Sequence, residues 1–192
     1  MQRRLIVVPR WGGTPRSDFY PWLAARLAGR PDIFEDVYVC DLPEPGTPRI
    51  DTWPPAISRA LADGLVGETF VLAHSVGCQA AMHAIAALPE GVTIAGMLAV
   101  AGWWTVDRPW PTIVPWIEQG PDLARVRAVC PRISVLLSDD DPFTADAAAN
   151  AALWRERLAA EVTLAPGAKH FNDSEEPAVL TALGRLVGAA LG

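Results

Sequence analysis

Residues 71–78 of the chain read Val-Leu-Ala-His-Ser-Val-Gly-Cys. The apolar run before the serine is typical of a buried strand, and the Ala-rich segment after it is typical of a helix. Ala73 and Gly77 flank Ser75 at two residues' distance, and both are small enough to let strand and helix pass closely at a tight turn. The pattern predicts a nucleophilic serine at the apex of that turn. A plain helix N-cap at Ser75 is the alternative interpretation.

Short apolar runs and helix-like segments alternate along the rest of the sequence. Strands are predicted over residues 5–8, 37–40, 69–73, 93–100, 133–137 and 161–164. Helices are predicted over residues 19–27, 57–65, 75–88, 144–160 and 176–191. Apolar strands separated by helices predict an α/β fold, a three-layer α/β/α sandwich around a mainly parallel sheet. With 192 residues, no internal repeat and no Gly/Ser-rich linker, we expect a single domain over residues 1–192.

Composition excludes several classes of protein. Hydrophobic residues make up 51% and charged residues 20%, unlike a disordered chain. The net charge of −6 argues against nucleic-acid binding, and no apolar run approaches the roughly 18 residues of a membrane span. The first apolar run ends at Pro9, too early for a signal peptide, and the three cysteines form no CxxC motif. We therefore expect a cytoplasmic protein with reduced thiols.

A nucleophilic serine needs a base, and histidine is the first candidate because its pKa lies near neutrality. His74 adjoins Ser75, but its side chain is expected to point away across the turn. His83 lies about 12 Å further along the predicted helix, at 1.5 Å per residue. His170 follows the last predicted strand and precedes the last helix, at the sheet edge where a base is expected. The sequence therefore favours His170, with a surface-loop histidine as the alternative.

An acid is expected to orient that base, and the penultimate strand ends in three aspartates. Asp141, directly before Pro142, is favoured as the acid, and Asp140 is the second choice. Asp139 is expected to bind backbone amides of its own turn. A metal site is not expected here, because adjacent carboxylates alternate in direction and the spacing of a calcium loop is missing.

Two backbone N–H groups are expected to stabilise the negatively charged oxygen that attack on a carbonyl creates. One belongs to Val76, directly after the serine. The second is expected from the loop after the first strand, from Trp11 or, as the alternative, from Arg10. This loop continues into Gly12-Gly13, but it matches neither a dinucleotide nor a phosphate-binding motif. We therefore expect no cofactor.

Residues 101–125 are rich in tryptophan and proline and predict a loop or a broken helix. We expect Trp103, Trp104 and Trp110 to line a substrate pocket together with Trp11, which favours an apolar or aromatic small-molecule acyl substrate. Core packing is the alternative for these rings, as is a contact with a second copy of the chain or with a protein partner.

Taken together, the motifs resemble those of the small α/β-hydrolases in the serine hydrolase family that includes retinoblastoma-binding protein nine and its bacterial relatives. The matching stretches are residues 6–9 with Gly12-Gly13, residues 73–77, residues 138–143 and residues 170–172. The resemblance implies a minimal α/β-hydrolase fold without a large cap domain. It also implies Ser75 as nucleophile, Asp141 as acid and His170 as base. Arg10 and Trp11 depart from it, standing where many relatives carry smaller residues.

The expected activity is hydrolysis of carboxylic esters or related acyl bonds through an acyl-enzyme on the serine. The sequence leaves two alternatives open. One is a protein that keeps the fold but only binds a ligand or a partner. The other is an acyltransferase that passes the acyl group to an acceptor other than water.

Overall fold

The computed structural model describes residues 3–62, 68–144 and 146–191. Six strands form its sheet: β1 (Arg3–Val8), β2 (Asp36–Val39), β3 (Glu68–His74), β4 (Gly96–Val100), β5 (Ile133–Ser138) and β6 (Glu161–Ala165). The helices of these residues are α1 (Tyr20–Ala28), α2 (Trp53–Ala62), α3 (Val76–Ala86), α4 (Val114–Glu118), α5 (Leu123–Val129), α6 (Ala147–Leu158) and α7 (Pro177–Val187).

The sheet runs in the order β2-β1-β3-β4-β5-β6, and every neighbouring pair is parallel. Successive side chains of β1 point to opposite faces, so Ile6 and Val8 enter one core while Leu5 and Val7 enter the other. Helices α2, α3, α5 and α6 cover the first face, and α1 and α7 cover the second. The predicted three-layer α/β/α sandwich is confirmed.

Most elements differ from prediction only at their ends. Helix α2 starts at Trp53 rather than at residue 57, because Pro54 and Pro55 fall in the first turn, where a missing N–H costs nothing. The end predicted for this helix falls on residues 63–65, outside the described residues. Helix α7 stops at Val187 rather than at residue 191, since Gly188 adopts a φ of 71° and ends the helix.

Helix α5 was not predicted, since its residues fell partly in the stretch read as irregular. Asp122 caps it: the carboxylate accepts a hydrogen bond from the Arg125 N–H at 3.0 Å. A Pro-Asp pair directly before an apolar residue is a helix-start signal. The neighbouring prolines led instead to the prediction of irregular structure. The short helix α4, by contrast, agrees with the broken-helix interpretation of residues 101–125.

The topology creates a crevice at the carboxyl edge of the sheet. From β1 the chain moves outward to β2 and then crosses to β3 on the other side of β1. The loops after β1 and β3 therefore diverge, and ligands of parallel α/β sheets bind at such a switch point. Among the described residues, no helix has the length and apolar character to cross a bilayer.

Candidate active site

The turn at Ser75 has the strained backbone that a nucleophile apex requires. Ser75 lies between β3 and α3 with φ 56° and ψ −128°, a conformation that side chains rarely adopt. Its N–H donates to the Val100 carbonyl oxygen at 2.9 Å, and its side chain makes no capping hydrogen bond to α3. The N-cap alternative is therefore not met by the geometry.

Gly77 is required by the close approach of α3 to the loop after β1. A Cβ at this position would lie 2.5 Å from the Pro9 carbonyl oxygen and 2.9 Å from that of Val8. Both neighbours are backbone atoms, which cannot move aside as a side chain end could. The glycine therefore lets the serine turn and the first loop share one edge of the crevice.

His170 and Asp141 are brought together from two different loops. The His170 Nδ1 lies 2.8 Å from the Asp141 Oδ2, and both side chains are buried. The other carboxylate oxygen of Asp141 accepts the Phe143 N–H at 2.9 Å. With Nδ1 donating to the carboxylate, Nε2 is the nitrogen that remains to exchange a proton.

The three consecutive aspartates have different partners. Asp141 points inward to His170. Asp139 and Asp140 are exposed, and both bind the loop that carries His170. Asp139 accepts the Gly167 N–H at 2.8 Å, and Asp140 accepts the Lys169 N–H at 2.7 Å. Asp140 therefore supports the histidine loop without touching the imidazole. No group of three metal-ligating side chains occurs among the residues that the structure describes.

Among the described residues, the Val76 and Trp11 N–H groups are both free to donate to a ligand, whereas the Arg10 N–H is not. The Val76 N–H is the first of helix α3 and has no intrahelical acceptor, like every first-turn N–H. The Arg10 N–H donates to the Tyr20 hydroxyl at 3.0 Å and is therefore already used. The Trp11 N–H has no acceptor in the part of the chain that is described. The geometry thus favours Trp11 over Arg10.

Ser75 and His170 line one cavity of about 510 Å³. Its apolar wall consists of Trp11, Trp103, Val106, Ile113 and Phe143. Its polar wall consists of Arg10, Asp18 and Asn172. Arg10 and Asp18 form an ion pair, with the Arg10 Nε 2.8 Å from the Asp18 Oδ2. The cavity therefore offers mostly aromatic and aliphatic surface beside the serine.

Sequence reasoning missed Asp18, which ties the loops around the cavity together. It pairs with Arg10 from the first loop, and it accepts a hydrogen bond from the Asn172 Nδ2 at 3.3 Å from the last loop. Asp18 also has a φ of 50°. No signal in the sequence marks this residue, because its partners come together only in the folded chain.

The three tryptophans expected at the cavity separate. Trp103 lines it. Trp104 is not among the lining residues. It is buried against Trp154, with ring centroids 4.9 Å apart, and its backbone N–H donates to the Asn150 Oδ1 of α6. Trp110 is 46% exposed and sits on the rim, in edge contact with Trp11 at 5.7 Å and with Phe143 at 5.6 Å.

Two other residues singled out in the sequence lie outside the cavity lining. Cys78 is fully buried behind Ser75, where burial raises the pKa of its thiol well above the usual range. His83 is half-buried beside Trp116, with ring centroids 6.0 Å apart, and burial lowers its pKa. Neither group is placed to react with a ligand beside Ser75.

A tight serine turn follows the third strand of the parallel sheet, and a buried His-Asp pair has its histidine in the same cavity. This combination is typical of a minimal α/β-hydrolase fold. The sequence matches the family described as serine hydrolase over residues 5–179, so the chain belongs to the serine hydrolase family. The predicted family is confirmed. No curated protein matches the sequence.

Solved structures share the fold over almost the whole chain. The ydeN gene product of B. subtilis is 22% identical with a TM-score of 0.81, covering 98% of this chain and 100% of that one. The type II thioesterase BorB of the borrelidin biosynthetic cluster is 20% identical with a TM-score of 0.69, covering 99% and 93%. A carboxylesterase structure from Nitrososphaera gargenis is 12% identical with a TM-score of 0.70, covering 97% and 91%.

Proposed function

We propose that the protein hydrolyses carboxylic esters through an acyl-enzyme, with Ser75 as nucleophile, His170 as base and Asp141 as orienting acid. The observation that carries this proposal is the 2.8 Å contact between His170 and Asp141 beside a cavity that Ser75 also lines. Membership of the serine hydrolase family supports the serine chemistry. The folds shared with a carboxylesterase and a thioesterase support an acyl bond as the target.

In the first half of the reaction, the Ser75 Oγ attacks the acyl carbon and its proton passes to the His170 Nε2. Asp141 keeps the other proton on Nδ1 and stabilises the imidazolium that forms. When the tetrahedral intermediate collapses, the bond to the alcohol oxygen breaks and His170 returns its proton to that oxygen. The alcohol leaves, and the acyl group stays on Ser75.

The second half repeats these steps with water. His170 takes a proton from a water molecule, whose oxygen attacks the acyl carbon, and Ser75 leaves with that proton. In both halves the Val76 and Trp11 N–H groups donate to the oxygen that becomes negatively charged. Such donors are already in place before the charge develops, and losing one commonly costs about 10²–10³-fold in kcat.

The lining of the cavity favours a small substrate with an apolar or aromatic part. Trp11, Trp103 and Phe143 offer ring surface beside Ser75. Arg10 and Asp18 neutralise each other, so the polar wall supplies hydrogen-bonding groups rather than a net charge for an ionic substrate. Short neutral esters are therefore the first substrates to test.

A fluorophosphonate probe tests the proposal, because it reacts with a serine that a base has activated. We expect labelling of the wild type, and no labelling of Ser75→Ala or His170→Ala. Hydrolysis of p-nitrophenyl acetate should follow the same pattern. A folded wild type that neither labels nor hydrolyses the ester would support the binding-protein alternative. Acyl transfer to an added alcohol in preference to water would support the acyltransferase alternative.

A further inference from the structure

A buried chain of hydrogen bonds joins the first loop of the sheet to the loop that carries His170. The Arg10 N–H lies 3.0 Å from the Tyr20 hydroxyl, which lies 2.8 Å from the His74 Nδ1. The His74 Nε2 lies 2.8 Å from the His170 carbonyl oxygen. Tyr20 and His74 are both fully buried, so water does not compete for these bonds.

The direction of each bond follows from the groups involved. The His170 carbonyl oxygen can only accept, so the His74 Nε2 carries a proton and donates it. Burial, followed by the nearby His170, lowers the pKa of His74, so its ring is neutral and its Nδ1 accepts. The Tyr20 hydroxyl therefore donates to Nδ1 and accepts from the Arg10 N–H. Burial raises the pKa of Tyr20, which keeps that proton in place.

The loop that carries His170 depends on such contacts, because its backbone is irregular. Lys169 has a φ of 48° and Phe171 a φ of 54°, so the residues on both sides of the histidine hold conformations that cost energy. Asp139 and Asp140 hold the loop at Gly167 and Lys169. The bond from His74 is made to the main chain of His170 itself.

We propose that His74 is a positioning residue for His170, acting through the His170 carbonyl group, with Tyr20 fixing the His74 ring in the donating tautomer. This inference rests on the proposed function, in which His170 is the base. His74 is not among the residues that line the cavity, so it is placed to act through His170 rather than on a substrate. His74 sets the position of the His170 imidazole relative to Ser75. Ser75 directly follows His74 in the chain.

The same chain of bonds couples the base to the first loop. Arg10 precedes Trp11, whose N–H is the proposed donor to the charged oxygen. The Tyr20 hydroxyl accepts the Arg10 N–H and so fixes the backbone directly before Trp11. Within the described part of the chain, the Trp11 N–H stays free to donate to the charged oxygen. Loss of the Tyr20 hydroxyl is therefore expected to disturb both the base and this donor.

Two amide variants of His74 separate positioning from mere stability. In His74→Gln the side-chain amide nitrogen can occupy the place of Nε2 and donate to His170. In His74→Asn the shorter amide can occupy only the place of Nδ1, so the bond to His170 is lost. Both variants put a polar amide in the same buried site, which makes each the control for the other.

The measurements are kcat and KM for p-nitrophenyl acetate, the rate of fluorophosphonate labelling, and the melting temperature. We expect His74→Asn to lose about 30- to 100-fold in kcat, the scale of a misplacement near 1 Å. His74→Gln should keep a kcat about tenfold higher than the Asn variant, with KM unchanged in both. Tyr20→Phe should lower kcat about fivefold, the factor of one net hydrogen bond.

Trp53→Phe is the matched control for Tyr20→Phe. Trp53 is equally buried, and its Nε1 donates to the Pro43 carbonyl oxygen at 2.9 Å, a bond that is not part of the chain from Arg10 to His170. This variant should lower the melting temperature but leave kcat and the labelling rate as in the wild type.

Several results would overturn the inference. Equal kcat in the Gln and Asn variants, or a wild-type kcat in folded Tyr20→Phe, would mean that the buried chain serves stability alone. If one His74 variant does not fold, the comparison of kcat between Tyr20→Phe and Trp53→Phe still tests the inference. A wild type that neither labels nor hydrolyses the ester would instead contradict the proposed function, so the two failures are distinguishable.

Discussion

The ring of Phe143 stands perpendicular to the imidazole of His170, with ring centroids 4.7 Å apart and an interplanar angle of 89°. The backbone N–H of the same phenylalanine donates to Asp141 at 2.9 Å. Phe143 therefore contacts both His170 and Asp141, and it forms part of the cavity wall as well. It links the hydrogen-bonded His170–Asp141 pair to the apolar surface of the cavity.

The three aspartates should differ sharply in their effect on activity. We expect Asp141→Ala to lower kcat about 10⁴-fold, and Ser75→Ala and His170→Ala about 10⁶-fold, by analogy with triads in which the acid is the least costly member to lose. Asp140→Ala should cost far less, because the Asp140 carboxylate accepts hydrogen bonds from the Lys169 N–H and the Ser138 hydroxyl and makes none to the imidazole. Steady-state kinetics on p-nitrophenyl acetate checks this order. A larger loss in Asp140→Ala than in Asp141→Ala would contradict it.

Gly77→Ala should destabilise the protein even though alanine is the better helix former. Helix propensity favours alanine over glycine by about 1 kcal/mol. The added Cβ would nevertheless press on the backbone oxygens of Pro9 and Val8, and overpacking typically costs about 1–3 kcal/mol. Thermal unfolding measures the balance. Gly120→Ala is the control, because an added Cβ there meets nothing within 4 Å. A melting temperature equal to that of the control would refute the steric argument.

Trp110 and Trp104 should show opposite phenotypes. Trp104→Ala removes a buried ring packed on Trp154 and should cost about 3–5 kcal/mol of stability. Trp110→Ala removes a half-exposed ring on the rim, so stability should change little. Its effect should appear as a changed KM for longer p-nitrophenyl esters, which extend past Trp11 and Phe143 toward the rim. Unchanged KM values along an ester series would remove Trp110 from the substrate path.

Stability should fall as the pH drops below neutrality, in part through His74. Burial lowers the pKa of His74 in the folded chain, while the unfolded chain binds a proton near the ordinary value of about 6.5. Below that pH the unfolded state therefore carries more protons, and stability decreases by up to about 1.4 kcal/mol per pH unit. Melting temperatures at pH 7.5 and pH 5 should differ less in His74→Gln than in the wild type. Parallel curves for the two proteins would count against a neutral His74.

The cysteines should be inert in the folded protein. Cys40, Cys78 and Cys130 are all free and buried, and burial raises the pKa of Cys40 and of Cys130 to about 12. We expect no reaction with a disulfide reagent at pH 8 in the native state, and three thiols in denaturant. Ester hydrolysis should survive treatment with a maleimide. Rapid inactivation by that reagent would implicate Cys78, behind Ser75, in the chemistry.

Local sequence was enough for the elements and for the turn. A strand buried on both faces must be apolar throughout, and a tight turn into a helix needs small residues such as Ala73 and Gly77 beside Ser75. These requirements act over a few residues, so they are legible in the sequence. Helix α5 was not predicted, because its capping signal at Asp122 lies among prolines that predict irregular structure.

The partners of individual side chains were not accessible in the same way. Nothing local distinguishes Trp104, buried on α6, from Trp110, exposed on the rim. Tyr20 contacts His74 across 54 residues, and Asn172 contacts Asp18 across 154. Such contacts depend on how separate loops meet at the edge of the sheet.

The sequence by itself therefore determined the α/β fold, the serine turn and the order of serine, acid and histidine. Only the tertiary structure decided that Asp141 rather than Asp140 reaches His170, that the Arg10 N–H is used by Tyr20, and that the His74 ring lies within hydrogen-bond distance of the His170 carbonyl oxygen. The physical reason is range. Periodicity and turn chemistry are local properties, whereas a buried hydrogen bond forms only where packing brings a donor and an acceptor within about 3 Å.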